Sequence, residues 1–477
     1  MGLMQRQLRI LIAFAAIVAL MEVKLYSFSL LGPFASWQNS AIGFNLPLNG
    51  SETGGPMDAG EEYRINIPVV TYAYDSTFLN FFGSKGVTAI EEAFAIMNGL
   101  PDADSINLAS YPLQAKGPKN FAAANLGIVD IKSLTLGILM GQVGIGSPER
   151  YTWCLRDRST LPGGQINYLV IQRNFDPTFF VPTNVVNGTI YTYTVFDPIR
   201  FNNVTYADAV ESLVDPLADD FTSLAGIENS DPVRSFPLSA GEYFTGLTRD
   251  DAAAYRYLYR SGNYNIEDLV TGFGLTLSTN PVNGSPFGQI GLTNGLQTNT
   301  LTGLAIRPGI GKVTFQRVHF DSVIGTTLSV TNEYIDTFVT NNVRQLQRLQ
   351  RVLTAPDIVI YADDLGILQF SIPVFYTRTA TSSSWVDHSA DNTIGATGLA
   401  GPGVAVPNVT LGFNKLLPGR FNSSPFFLDE RQSSAASSTY GHFDSKNIHA
   451  IFPEGTSVQF IEAQIGTASP GVGQSPF

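Results

Sequence analysis

The residue types that could do chemistry sit close together near the end of the chain. Gly441-His442-Phe443-Asp444-Ser445-Lys446-Asn447-Ile448-His449 holds two of the four histidines, seven residues apart, with a carboxylate between them. Two imidazoles and a carboxylate are a sufficient donor set for a transition metal. The spacing matches no known zinc motif, and histidines in a turn or on the surface are the competing reading. His319 and His388 complete the set. A second donor set, all oxygen, is Asp215, Asp219 and Asp220, the best calcium candidates of the sequence. No D-x-[DN]-x-[DN]-G loop accompanies them, and a solvated acidic loop accounts for them equally. The pairs Asp250-Asp251 and Asp363-Asp364 cannot act as facing acid and base, because neighbours point apart on a strand and do not face each other on a helix. Asp250 and Asp251 fit helix capping better.

Other chemistries lack part of their machinery. There is no G-x-S-x-G elbow, so a Ser–His–Asp triad has no recognisable nucleophile. The single cysteine, Cys154, rules out an intramolecular disulfide and any C-x-x-C site. It lies in Tyr151-Thr152-Trp153-Cys154, a setting for a small buried apolar side chain. Arg156, Asp157 and Arg158 follow what reads as a strand; an ion-pair network or an anion contact would use them. Aromatics near Trp385 and Tyr440 could stack on sugars. The N-x-[ST] sequons at Asn187, Asn203, Asn283 and Asn408 would matter only on a glycosylating route.

The elements that must position these residues are legible in outline. The chain has 477 residues, enough for two to four domains. Apolar residues make up 44% and suffice for real cores, while charged residues are only 14%. Polarity comes instead from Gly, Ser, Thr and Asn, which suits short strands joined by tight turns. The formal net charge of −12 argues against nucleic acid as a partner, since phosphates require clustered Lys and Arg. Arg6 and Arg9, followed by the apolar run Ile10–Met21, have the form of an export signal over residues 1–26, too short to be read as a spanning helix. Residues 27–65 read as an extended arm.

A strand over 67–74 precedes a helix capped at Ser84, in which Val87, Ile90, Phe94 and Met97 recur and Glu91 and Glu92 face outward. Further helices are expected over 131–142, over 208–225 with a break at Pro216, over 249–260 with Thr248 as cap, and over the basic stretch 342–353. Strands are expected at 151–156 and 166–173 around Pro162-Gly163-Gly164, then at 189–196, 312–319, 326–331, 358–362, 367–376 and 409–413. The fold class expected is therefore an α+β domain over 66–265, then a mainly-β, sandwich-like domain over 266–465 and a tail over 466–477.

The strand, loop and helix of Val70 to Asn98 resemble the opening of matrixin-type zinc proteases. That family continues with H-E-x-x-H-x-x-G-x-x-H. The segment of similar shape here is Gly137 to Ser147, with Gly144 at the family's turn glycine. The zinc-ligand positions fall on Gly137, Gly141 and Ser147 and the glutamate on Ile138, so the resemblance implies a scaffold without zinc and without a base. Leu247 to Tyr259 is similar to the family's closing helix. Leu31-Gly32-Pro33, Trp37-Gln38, Gly55-Pro56-Met57, Glu61-Glu62-Tyr63-Arg64, Leu155-Arg156-Asp157-Arg158, Gly401-Pro402-Gly403, Phe413-Asn414-Lys415 and Phe443-Asp444-Ser445 resemble motifs of a group of large exported bacterial proteins. That resemblance implies location and architecture only.

The function expected is that of a non-catalytic exported protein of the cell surface or extracellular matrix, with a structural, adhesive or binding role. The alternatives are a secreted peptidase or glycosidase with an unrecognised site, and a carbohydrate-binding surface protein. No cofactor other than calcium is expected. Surface proteins, glycans and further copies of the chain are the expected partners, and no membrane contact beyond the signal is expected. A cleft with converging His or carboxylate groups would favour the enzyme. Long sheet edges or apolar patches would favour assembly, and a flat row of exposed aromatics would favour sugar binding.

Overall fold

The computed structural model describes residues 27–30, 64–65, 67–113, 118–125, 127–149, 152–186, 188–197, 208–218, 238, 240–268, 304–340, 343–363, 385–387, 409–414, 439–445 and 448–450. The export signal, most of the arm, the 367–376 strand, the tail and all four sequon asparagines lie outside the described residues. So do Asp219, Asp220 and His388.

Strand outweighs helix, and the strands form several sheets. In chain order the strands are β1 (Phe28–Leu30), β2 (Val69–Tyr74), β3 (Ile128–Asp130), β4 (Ile145–Gly146), β5 (Cys154–Thr160), β6 (Ile166–Ile171), β7 (Asn174–Phe175), β8 (Val185–Val186), β9 (Thr189–Phe196), β10 (Asp208–Leu213) and β11 (Asn265–Asp268). They continue with β12 (Leu304–Arg307), β13 (Thr314–Arg317), β14 (Phe320–Asp321), β15 (Thr326–Thr327), β16 (Val330–Thr340), β17 (Val343–Leu353), β18 (Ile358–Asp363), β19 (Trp385–Asp387), β20 (Val409–Asn414), β21 (Thr439–Phe443) and β22 (Ile448–Ala450). The α-helices are α1 (Ser76–Asn98), α2 (Phe121–Asn125), α3 (Ile131–Gln142) and α4 (Arg249–Tyr259).

The organising sheet is parallel, in the order β13-β2-β18-β20. Parallel sheets survive only when both faces are covered, and β2 reads accordingly: β-branched and aromatic residues with Val70 to Tyr74 all buried. This sheet takes one strand from the first half of the chain and three from the second. Helix α1 covers one face, with Phe94 stacked on Tyr72 at 3.7 Å and 11° and Phe78 edge-on to Phe413. The Asn98 side chain both donates to and accepts from the Phe315 backbone, so the end of the helix completes the edge of β13.

Helix α1 starts eight residues before the expected Ser84. Asp75 caps it by accepting from the Thr77 amide, and Gly83 at φ 58° then breaks the helical geometry. Across that break the buried Phe78 and Phe82 keep the spacing of Gly86, Ala89, Ala93 and Met97, so the first turns carry the same apolar stripe. Helix α3 spans the expected residues and is buried almost all round, so it is a core helix lying against α1. Helix α4 carries a capping box: the Asp251 carboxylate accepts from the Thr248 amide and hydroxyl. Its Tyr255, Leu258 and Tyr259 are fully buried. The Tyr259 hydroxyl donates to the Val143 carbonyl and accepts from the Ile65 amide, tying three segments together.

Part of the expected arm is core. β1 is the central strand of the sheet β4-β1-β7, with Phe28 and Leu30 buried. Over its described residues, 208–218, the expected helix is instead the strand β10, paired along its length with β9, followed by a turn in which the Asp215 carboxylate accepts from the Leu217 amide; residues 219–225 lie outside the described residues. The strand expected over 326–331 divides between β15 and the start of β16.

The expected basic helix over 342–353 is the strand β17, paired with β16 in an unbroken 11-residue register from Val330↔Leu353 to Thr340↔Val343. Leu346, Leu349 and Val352 recur every three residues and imitate a helix. Arg344, Leu346 and Arg348, spaced by two, share one exposed face of the ribbon. The ribbon is anchored from below. Arg307 on β12 forms a two-pronged ion pair with Asp336 on β16, both bonds at 3.0 Å. The two side chains are 2% and 4% exposed. Arg64 in turn donates to the carbonyls of Leu258, Asn263 and Arg307.

No helix among the described residues is long and apolar enough to cross a membrane.

Candidate functional site

The most concentrated ionisable chemistry among the described residues gathers around α1, where adjacent glutamates serve two separate clusters. On one side Glu91 accepts from the hydroxyls of Tyr72, at 2.6 Å, and Tyr74, at 3.0 Å. The two tyrosines stand two apart on β2 and therefore project on the same side of the strand. Arg317 at the end of β13 pairs with the same carboxylate at 3.4 Å and lies 4.9 Å over the Tyr74 ring. Burial, then the hydrogen bonds and negative charge of Glu91, push both phenols far above their ordinary range. They act as donors and hold Glu91 in place.

On the other side stands His442 of β21. Its Nε2 lies 3.0 Å from Glu92 Oε2, and its Nδ1 lies 3.4 Å from Asp130 Oδ1. Asp130 is fully buried and caps α3, its other oxygen accepting from the Ser133 amide and hydroxyl at 3.0 and 2.5 Å. The Ser133 oxygen also accepts from the Phe244 amide. The hydrogen bond to Asp130 raises the basicity of His442 above its ordinary value; burial opposes this, and the charges of Asp130 and Glu92 reinforce it.

This arrangement contains a serine, a histidine and an aspartate, but it is not a catalytic triad. The triad requires the base nitrogen to face a hydroxyl. Here the outer nitrogen faces a carboxylate, and Ser133 is bonded to the aspartate. Nor do the two carboxylates converge, since they sit on opposite nitrogens of one ring. The cluster can hold a cationic imidazole and join three segments.

The expected donor sets fare differently. His442 and His449 are brought to directly opposed positions of the antiparallel pair β21–β22; the His449 side chain lies outside the described residues. Asp444 is exposed beyond the end of β21, and its described contact is through the backbone carbonyl, which accepts from Asn120. Among the described residues no three His, Cys, Asp or Glu side chains are placed to hold one metal ion. Asp215 is exposed and occupied by its own turn, without its two expected companions in view. His319 is exposed.

Arg156, Asp157 and Arg158 lie within β5 rather than after it, at an irregularity in its pairing with β6. Their side chains, and that of Cys154, are outside the described residues. Gly137 and Gly141 are buried within α3, while the Ser147 hydroxyl donates to Glu149.

Tyr440 is not an exposed aromatic. It is buried against Phe82 and Phe413, because alternation on β21 turns it to the core and His442 with it toward the core's rim. The side chain of Trp385, the other aromatic named for sugar stacking, lies outside the described residues.

Reasoning from sequence missed Asp130 and the bonding of Glu91 to Tyr72 and Tyr74, while Glu92 faces outward as expected and meets His442 there. The Asp130 signal was local and available, since Asp-x-x-Ser opening an apolar helix is a capping pattern. The pairing of His442 with Asp130 spans 312 residues, and no local pattern announces it.

Compared with known proteins, the chain matches no family model, no curated protein and no solved structure.

Proposed function

We propose that the chain is an exported, non-catalytic protein of the cell surface or extracellular matrix, acting through surface contacts with further copies of itself, with other surface proteins or with glycans. Export rests on Arg6, Arg9 and the apolar run that follows them. The contact role rests on one observation: aliphatic side chains are displayed outward on hairpins. Val323, Ile324 and Leu328 stand on and beside the β14–β15 hairpin, Val323 with 94% of its surface exposed. Ile335 and Leu346 stand on the open face of the β16–β17 ribbon at 69% and 64% exposure. The register makes them diagonal neighbours, Ile335 opposite Arg348 and Leu346 opposite Thr337. Single exposed aliphatics are ordinary, but clusters of them on paired strands are the usual substrate of association.

In this reading the common core, with its parallel sheet built from both halves of the chain, supports, and the β14–β15 hairpin and the β16–β17 ribbon display. The titratable clusters agree with it, since His442, Tyr72 and Tyr74 direct their polar atoms to carboxylates of this same chain. A peptidase and glycosidase screen on the purified mature protein, with metal analysis of the same sample, tests the reading. No turnover, with no metal or with calcium alone, supports it. Stoichiometric zinc, with activity that chelators abolish, overturns it.

A further inference from the structure

Both ring nitrogens of His442 face carboxylate oxygens. An ionised carboxylate only accepts hydrogen bonds, and a neutral imidazole has one donor and one acceptor nitrogen. The geometry is therefore satisfied by the doubly protonated ring alone. Take one proton away, and one nitrogen lone pair points at a carboxylate.

The two carboxylates would not respond alike. Asp130 is fully buried and pinned by Ser133, so it cannot leave. Glu92 is half exposed on the outer face of α1 and can swing into water. The neutral ring would keep its proton on Nδ1, toward Asp130, and the Glu92 arm would open. Glu91 does not compete for the ring, because it is held by Tyr72, Tyr74 and Arg317. Across the strand pair the position opposite His442 is His449 on β22, whose side chain lies outside the described residues.

We propose that His442 is a pH-responsive latch: protonated, it fastens β21 to α1 through Glu92 and to α3 through Asp130, and on deprotonation the α1 connection is released. β21 is parallel to β3 through three residue pairs, from Thr439↔Ile128 to Gly441↔Asp130, so the latch governs how firmly a segment from the far end of the sequence is held on the core. The direction follows by linkage. The ring is more basic in the folded chain than when unfolded, so its contribution is complete below about pH 6.5 and is lost as the pH rises through the higher folded value. An exported protein meets such changes of pH directly.

The test is hydrogen exchange of the β21 amides in the full chain between pH 6 and 9, corrected for intrinsic rates. Protection should fall by about tenfold for each unit by which the folded ring exceeds its unfolded pKa. Glu92→Gln should shrink that response to the part Asp130 contributes and leave β21 better protected than the wild type at pH 9, since the Gln amide can donate to the neutral Nε2. A wholly structural glutamate would give the opposite result, a uniform loss at every pH. Unchanged wild-type protection across the range, or a Glu92→Gln variant that loses protection as the wild type does, overturns the proposal. NMR titration of His442 in the unmodified chain is independent of any variant's folding: a pKa above 6.5 supports the latch, and one at or below it overturns it.

Discussion

Asp336→Asn tests the anchoring of the ribbon. Arg307 is buried, and its guanidinium fork meets both oxygens of Asp336 at 3.0 Å. Substitution by Asn keeps the size and one acceptor oxygen but places an amide NH2 against a donor-only cation. Removing one member of a buried pair costs about 3–5 kcal/mol, most of it the cost of leaving the other charge uncompensated. At about 1.4 kcal/mol per tenfold, the population in which the ribbon is undocked should rise roughly 100-fold or more. Hydrogen exchange of the β12, β16 and β17 amides reads that population directly. Arg307→Met with Asp336→Leu, which replaces the pair by apolar groups of similar volume, should recover most of the loss, because the desolvation cost of the charges disappears with them. An Asp336→Asn chain whose ribbon opens less than about threefold more often would refute the reasoning, as would a double variant no better than the single one.

Asp75→Ala removes the cap of α1 and should cost about 1 kcal/mol, read by denaturant unfolding. Burial pushes the Asp75 carboxyl up, but bonds from Thr77, Ser322 and Ser76 outweigh it and hold it below its ordinary 3.8. Its stabilisation is therefore present above about pH 3.8 and lost as the pH falls through the lower folded value, and the acid limb of the unfolding curve should flatten in the variant. Tyr72 and Tyr74 should stay protonated at pH values where free phenols ionise, and stability should fall above about pH 10, because their folded pKa values are raised. Absorbance titration at 295 nm checks the first statement. Tyr74→Phe should soften the alkaline loss while costing about 1.5–3 kcal/mol at neutral pH, for the loss of a hydrogen bond to a charged group.

What the sequence made legible was what is encoded locally. Helix α4 came through because Thr248, Asp251 and three buried apolar side chains lie within a dozen residues. The hairpin of β5 and β6 came through because Gly163 and Gly164 both need positive φ, and they sit at its turn. Helix α1 was found but started late, although Phe78 and Phe82 continue its apolar stripe on the near side of Gly83. β17 was misread because a three-residue spacing of Leu346, Leu349 and Val352 satisfies a helix, and only its partner β16 decides otherwise. The parallel sheet was out of reach: its strands lie up to hundreds of residues apart, and long-range parallel pairing leaves no short-range mark. The same reason hid the site. The histidine was singled out, but with the wrong companions, Asp444 and His449 from its own neighbourhood. The side chains that bond it, Glu92 and Asp130, come from another part of the chain.

The measurement closest to the central claim is sedimentation velocity of the mature chain over a wide concentration range, beside Ile335→Asp and Leu346→Asp. These sites are exposed and should leave the fold intact, which circular dichroism verifies. The account predicts concentration-dependent association that either substitution weakens at least tenfold, since each displayed aliphatic is worth about 1.5–3 kcal/mol when covered. A chain that stays monomeric at every concentration, captures no surface protein or glycan, and turns over a peptide or glycan substrate would contradict it.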